Sequence, residues 1–253
     1  MLIPKLKACS LHLLISVLIG LLAAFFVFST WYPAPYAQLS GGLKLFFMIL
    51  GVDIILGPLL TFIVFNPKKP KKEKLFEFVV IATIQASGLF YGGWTIFQAR
   101  PAYTVFEYDR FRIIHTTDIP EDLSNSISSE FKKGLFEKPK WLALRPLTAN
   151  EQFDLTISAA SGGPAVSALP HLWIPYTKGA EAILKSAQPY ADLATRFPER
   201  KQDLDALINK YNINASQISY LPIQGREDVW TVLLDSNNAQ PIAFIDIDSF
   251  KNN

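Results

Sequence analysis

Hydrophobic positions follow two different patterns along this chain. Through residue 97 they run almost without break in three long blocks, with polar residues gathered between them. Beyond that point they recur at short periods, either alternating or repeating every three to four residues. The blocks predict three transmembrane helices, at about 11–31, 45–65 and 75–97, each close to the 20 or so residues that cross a bilayer core at 1.5 Å per residue. The first block, Leu11–Phe28, exceeds the roughly 7–15 residues of a signal-peptide core and reads as a retained span. The later pattern predicts a compact α+β extracytoplasmic domain. The domains are therefore 1–97, a three-helix membrane domain, and 98–253, a soluble one.

Within the second domain, Tyr103–Ile114 reads as one strand or two short ones. Asp118-Ile-Pro-Glu121 reads as a helix start, with Leu123, Ile127 and Phe131 on one face and Gly134 as the stop. Trp141–Leu144 is a short strand. Thr148 and Glu151 form a capping box, after which Phe153, Ile157 and Ala160 are expected to face the core. Thr177–Ala187 is a helix closed by Pro189. Pro198 opens another, with Leu204, Leu207, Ile208 and Tyr211 at helical spacing. Strands near Ile218–Pro222, Val229–Leu234 and Ile242–Ile247 finish the chain, the last two joined by Ser236–Asn238.

Charge orients the spans. Residues 1–97 hold three acids and eight bases, a net of +5; the remaining 19 acids and 16 bases leave −3, and together these give the +2 of the whole chain. Five lysines crowd the loop 66–74, and the positive-inside rule puts that loop in the cytoplasm. The N-terminus is then cytoplasmic and the second domain extracytoplasmic. Trp31, Tyr32 and Tyr36, and later Tyr91 and Trp94, are expected at membrane interfaces. The basic charge belongs to membrane flanks, so the lipid bilayer and not nucleic acid is the expected partner surface. The single cysteine, Cys9, allows no intramolecular disulfide.

One acid, Asp53, interrupts the second block near its middle, with Gly57-Pro58 about one turn later. A carboxylate at that depth costs at least roughly 2.5–3.5 kcal/mol. Gln85 and Ser87 of the third span lie at similar depth. Three readings stay open: a polar handle for a client helix, a carboxyl satisfied inside the bundle by Gln85 and Ser87, or an ion-coupling site. Pro58 removes a backbone hydrogen bond to Ile54, so a kink or opening is expected there. Ser16, Gly20 and Ala24, and separately Gly88 and Gly92, form small-residue faces suited to close helix packing. Asp109-Arg110 reads as a local ion pair or a contact surface.

The chemistry-bearing motifs are sparse. The three histidines, His12, His115 and His171, are far apart, and no phosphate-binding glycine loop or nucleophile elbow is present. No cofactor, metal or catalytic residue is expected, and the protein is read as not an enzyme. Rival readings are a small membrane carrier or sensor using Asp53, or an enzyme of unfamiliar type.

Several segments carry a resemblance. Gly51-Val-Asp-Ile-Ile-Leu-Gly-Pro-Leu-Leu-Thr61, Tyr91-Gly-Gly-Trp94, Gln98-Ala-Arg-Pro101, Phe106-Glu-Tyr-Asp-Arg-Phe111 and Leu221-Pro-Ile-Gln-Gly-Arg226 together resemble the type IV pilin accessory proteins called TfpX/TfpZ. The resemblance implies an inner-membrane accessory protein of Gram-negative bacteria that stabilises the major type IV pilin and modulates pilus assembly or dynamics. It carries Asp53, Gly57, Pro58, Arg100, Pro101, Asp109 and Arg110 over as motif positions, without a catalytic role. Oligomeric state is left open.

Overall fold

The fold is taken from a computed structural model that describes residues 2–251. The outer ends of the two expected domains, Met1, Asn252 and Asn253, lie outside the described residues. The chain divides into two compact units. One takes the chain through Ala37 and then Gly41–Arg100; the other takes Gln38–Ser40 and the chain from Pro101 onward.

The first unit contains three long apolar helices. Helix α1 is Leu2–Phe26 and continues as a π-helical turn, Val27–Trp31. After a one-turn helix α2, Tyr36–Leu39, come α3, Gly42–Val64, and α4, Lys71–Gln98. Each long helix is long and apolar enough to cross a membrane. Helices α1 and α4 start earlier than the apolar blocks; α4 does so through Lys71-Lys-Glu-Lys74, all good helix formers. Helix α3 runs through Pro58 as one element.

Helix α3 is the middle element, and small residues set its contacts. Lys5 reaches the Phe62 carbonyl, Cys9 the Pro58 carbonyl, and Gly20 faces Leu50, so α1 and α3 run antiparallel. A Cβ on Gly20 would lie 2.4 Å from Leu50 Cδ1, and one on Gly92 would lie 2.5 Å from Ile49 Cγ2. Ser16 and Gly20 are buried and Ala24 packs in the same apolar cluster as Phe46 and Ile96. Gly88 differs from its expected partner Gly92: it is exposed, and a Cβ added there would meet nothing within 4 Å. The expected interface aromatics also divide. Tyr91 and Trp94 are exposed, but Tyr32 and Tyr36 are buried, and the Tyr32 hydroxyl donates to the Ile96 carbonyl at 3.2 Å.

The second unit is an eight-stranded mixed sheet with helices and turns around it. Its strands are β1 Pro101–Glu107, β2 Arg110–His115, β3 Lys140–Leu144, β4 Trp173–Pro175, β5 Gln188–Pro189, β6 Ile218–Gln224, β7 Val229–Asp235 and β8 Pro241–Ile245. They run in the order β4-β3-β1-β2-β6-β7-β8, with β5 also paired to β6. Strands β1/β3 and β2/β6 are parallel and the other pairs antiparallel. All of β1 is buried, as befits a central strand covered on both faces. One apolar cluster sets Tyr103, Val105, Leu142 and Trp173 around Phe131. Another packs Leu193, Phe197 and Leu204 on Tyr220, Leu233 and Ile245. Leu39 is fully buried within this unit, and its carbonyl accepts from the Glu227 amide at 3.0 Å.

Two sequence expectations fail in this unit. The helix beginning near Glu121 is only Glu121–Ser124, α5. Ser124 and Ser126 turn their hydroxyls onto the carbonyls of Glu121 and Leu123, the competition that makes serine a poor helix interior residue. Ile127 and Phe131 still pack in the core, but from turns. The capping box of α6, Ala149–Ala160, forms as expected: Thr148 N–H donates to Glu151 and the Glu151 amide donates to Thr148 Oγ1. Yet Phe153 and Ile157 are exposed, and Leu155 packs inward instead. Leu155 packs on Val166, Leu169 and Leu172, and the Arg145–Glu151 pair lies on the same side of the helix.

Candidate functional site

Asp53 lies eleven residues from either end of α3, counting 42 to 53 and 53 to 64. It is half-buried and forms no hydrogen bond or ion pair among the described residues. Its side chain lines two clefts, of about 320 Å3 and about 390 Å3, and Gln85 and Leu89 line both with it. Gly88 and Gly92 border the first, and Ala8, Ser16, Ala82 and Ala86 border the second. Small residues thus leave open space beside the acid where larger side chains would fill it.

The partners expected for Asp53 from sequence are engaged elsewhere. Ser87 donates to the Thr83 carbonyl of its own helix at 2.9 Å. Gln85 Oε1 lies 2.7 Å from His12 Nε2, and His12 Nδ1 lies 2.7 Å from Thr61 Oγ1. An amide oxygen only accepts, so His12 donates through Nε2 and accepts the Thr61 hydroxyl at Nδ1. His12, Thr61 and Gln85 therefore join all three long helices in one polar chain. Sequence reasoning misses it, treating His12 only as an isolated histidine. The signal is present: a polar side chain in each apolar block, at depths that an antiparallel bundle brings level.

Gly57 makes the chain possible. A Cβ there would fall 2.0 Å from Gln85 Nε2 and 2.8 Å from His12 Nε2. The Gln85 amide nitrogen is buried and has no partner among the described residues. It lies against Gly57, one turn from Asp53 on the same helix face, where residues four apart stack. A vacant donor and a vacant acceptor thus share one cleft.

The remaining candidate residues are dispersed. Arg100 is buried, its Nη1 donating to the Phe97 carbonyl at 2.6 Å and its guanidinium 3.6 Å from the Phe97 ring centre. That is a positive side chain closing the C-terminal end of α4. Asp109 and Arg110 form a two-bond pair on the surface, at 2.7 and 3.3 Å, with the guanidinium 4.4 Å from the Phe250 ring centre. Elsewhere in the second unit His115, fully buried, takes Asp118 at 3.0 Å, and Asp118 in turn accepts Arg226. Burial pushes the His115 imidazole below its usual range, against the Asp118 hydrogen bond. Burial acts to raise Asp118, but hydrogen bonds from His115 and Arg226 hold its carboxyl well below the ordinary value.

Three long apolar helices, with Asp53 central in α3 and without a partner among the described residues, on one chain with a mixed-sheet domain, define the class: a three-helix apolar bundle with a cleft between helices, joined to an α+β domain. Comparison with known proteins narrows this to a family. Residues 1–41 match the family described as Fimbrial assembly protein FimB. The serogroup I fimbrial assembly protein of Dichelobacter nodosus is 35% identical over 247 residues, 97% of this chain and 96% of that one. The serogroup E1 protein of the same organism matches to the same extent, and the protein of serogroups C1 and C2 is 45% identical over 113 residues, 45% of this chain and 86% of that one. The chain belongs to this fimbrial assembly protein family, a type IV pilus assembly accessory family, in line with the resemblance carried by its motifs. No solved structure matches it.

Proposed function

We propose that this protein is an inner-membrane accessory of type IV pili that holds the major pilin subunit before assembly. Residues 1–97 cross the membrane three times with the lysine loop and N-terminus in the cytoplasm, and residues 98–253 stand in the periplasm. The role is not enzymatic. The observation that carries this reading is Asp53, central in α3, half-buried beside an open cleft and without a partner among the described residues. The buried Gln85 amide nitrogen, left unmatched among the described residues, costs about 1–3 kcal/mol, and the half-buried Asp53 beside it has no partner there either. A client helix that brings a polar or positive group to Asp53 recovers that cost, while its apolar face fills the cleft. Gly57 and Pro58 shape the site, Arg100 closes the end of α4, and the sheet domain, with Asp109 and Arg110 on its surface, meets the pilin head.

A carrier or sensor built on Asp53 is less well supported. A carrier needs polar side chains lining a route, whereas His12, Thr61 and the Gln85 oxygen are bonded to one another.

The test is a photo-crosslinking residue at Leu56, which borders the cleft with Asp53 and is half exposed. Irradiation of intact cells is expected to trap the pilin subunit. Asp53→Asn and Asp53→Leu are expected to lower trapping and pilin co-purification about three- to tenfold at an unchanged level of the protein itself. Loss of the protein in parallel with the pilin would instead assign Asp53 to internal structure.

A further inference from the structure

A groove of about 570 Å3 lies within the sheet domain, among residues no part of the site above uses. Its size is within the range of built ligand sites, about 300–1,000 Å3. Phe106, Leu144, Leu147 and Ile174 give it an apolar floor. Arg145, Lys178 and Lys185 give it a basic rim, on a domain whose net charge is −3. Arg145 is engaged, holding Glu151 at 2.6 and 3.2 Å. Lys178 and Lys185 form no hydrogen bond or ion pair among the described residues. Glu181 lies between them in sequence and is likewise unpaired there.

Geometry selects the occupant. Lys178 sits in the 3-10 turn Tyr176–Gly179, and Lys185 in the helix Ala180–Ser186 that follows, α7. Seven residues of rise place them about 10–12 Å apart along the groove. One small carboxylate does not span that distance. A polyproline-like chain, rising about 3.1 Å per residue with three residues per turn, puts residues i and i+3 on one side about 9 Å apart. The groove also borders β4, a terminal strand bonded on one side only, which suits an extended guest. At the other end stands Tyr108, exposed and at φ 57°, with its carbonyl held by Ser186 Oγ at 3.0 Å. A tyrosine kept in a conformation that favours glycine presents its ring at the groove mouth.

We propose that this groove binds an extended acidic segment of a partner protein. Two carboxylates three residues apart meet Lys178 and Lys185, uncharged residues cross Glu181, and an apolar side chain rests on the floor. Glu181 makes the site selective, because it repels a third acid placed between the other two.

The test uses the full-length protein in a non-ionic detergent and a fluorescein-labelled peptide, GDLLDG, followed by anisotropy. Saturable binding is expected, with GNLLNG and GKLLKG not competing. Lys178→Ala and Lys185→Ala are each expected to weaken binding about fivefold, and Lys178→Arg to restore it. Glu181→Gln is expected to tighten it and to admit GDDLDG. Neither lysine holds a structural contact, so circular dichroism of the variants should match the parent. Absence of saturation by ~1 mM, equal binding of the acidic and amide peptides, or indifference to both lysine substitutions would overturn the proposal.

Discussion

Gly57 gives a quantitative check on the polar chain that joins the three apolar helices. Alanine there brings two opposing effects. Replacing glycine inside a helix stabilises by about 1 kcal/mol through backbone entropy. Against this, the new Cβ falls 2.0 Å from Gln85 Nε2, so the amide must swing away and break its 2.7 Å contact with His12. Side-chain hydrogen bonds between helices in a bilayer average about 0.6 kcal/mol and reach about 1.7 kcal/mol. The two effects are of equal size and opposite sign, so Gly57→Ala alone should change stability by less than about 1 kcal/mol.

The informative measurement is the cycle with Gln85→Ala. Without the glutamine side chain nothing remains at 2.0 Å, and His12, the next atom at 2.8 Å, has lost its partner and can turn aside. Gly57→Ala should then release its full propensity gain of about 1 kcal/mol. The coupling between the two substitutions is therefore expected at about 0.6–1.7 kcal/mol, with the double variant more stable than additivity allows. Reversible unfolding in mixed detergent micelles, followed by tryptophan fluorescence, reads the four free energies. Equal effects of Gly57→Ala in both backgrounds would refute the packing of Gln85 on Gly57, and with it the polar chain.

Two further predictions concern the sheet domain. His115 is held below its ordinary value of 6.5 by burial, so the unfolded chain takes up a proton that the folded one refuses. Its contribution is complete above pH 6.5 and is lost as pH falls below that; Asp118, depressed from 3.8, adds a second loss below pH 3.8. His115→Asn should flatten the slope between pH 6.5 and 4.5 in a urea-unfolding series, and a parent protein that gains stability on acidification from pH 7 would contradict the assignment. Gly225→Ala would set a Cβ 2.1 Å from the Leu39 carbonyl oxygen, a backbone atom that cannot rotate away. A loss of about 1–3 kcal/mol is expected, and an unchanged unfolding midpoint would show that the Leu39 segment yields.

What is legible in sequence follows from how local each signal is. Three apolar helices are visible because each is one long, nearly uninterrupted apolar run, of the length and composition that could cross a membrane. The β6–β7–β8 meander is visible because its alternation and its Ser236–Asn238 turn are near neighbours in the chain. The parallel pairings β1/β3 and β2/β6 are not, since they join residues more than 30 apart through chain segments with no fixed length. Helix α6 shows the same divide at smaller scale. Its cap is a four-residue pattern and is plain in the sequence, but its rotation depends on Arg145 and on the Val166–Leu172 cluster, which lie outside the helix. Phe153 and Ile157 consequently point to solvent although their spacing suits a core.

The site divides along the same line, and its division bears on what Asp53 is for. The acid stands out because one residue breaks an apolar run. Its surroundings do not, because His12, Thr61 and Gln85 come from three helices. With only Gln85 and Ser87 in view, sequence reasoning leaves internal partners for Asp53 open beside a client helix and an ion-coupling site. The structure instead gives Ser87 to Thr83 and the Gln85 oxygen to His12. A bundle that satisfies His12 and Thr61 through each other, at 2.7 Å, has the means to satisfy buried polar groups. Among the described residues it leaves the Asp53 carboxylate and the Gln85 amide nitrogen without partners, beside open space lined by Gly88 and Gly92. That pairing of vacancies is the ground on which the proposed client helix rests.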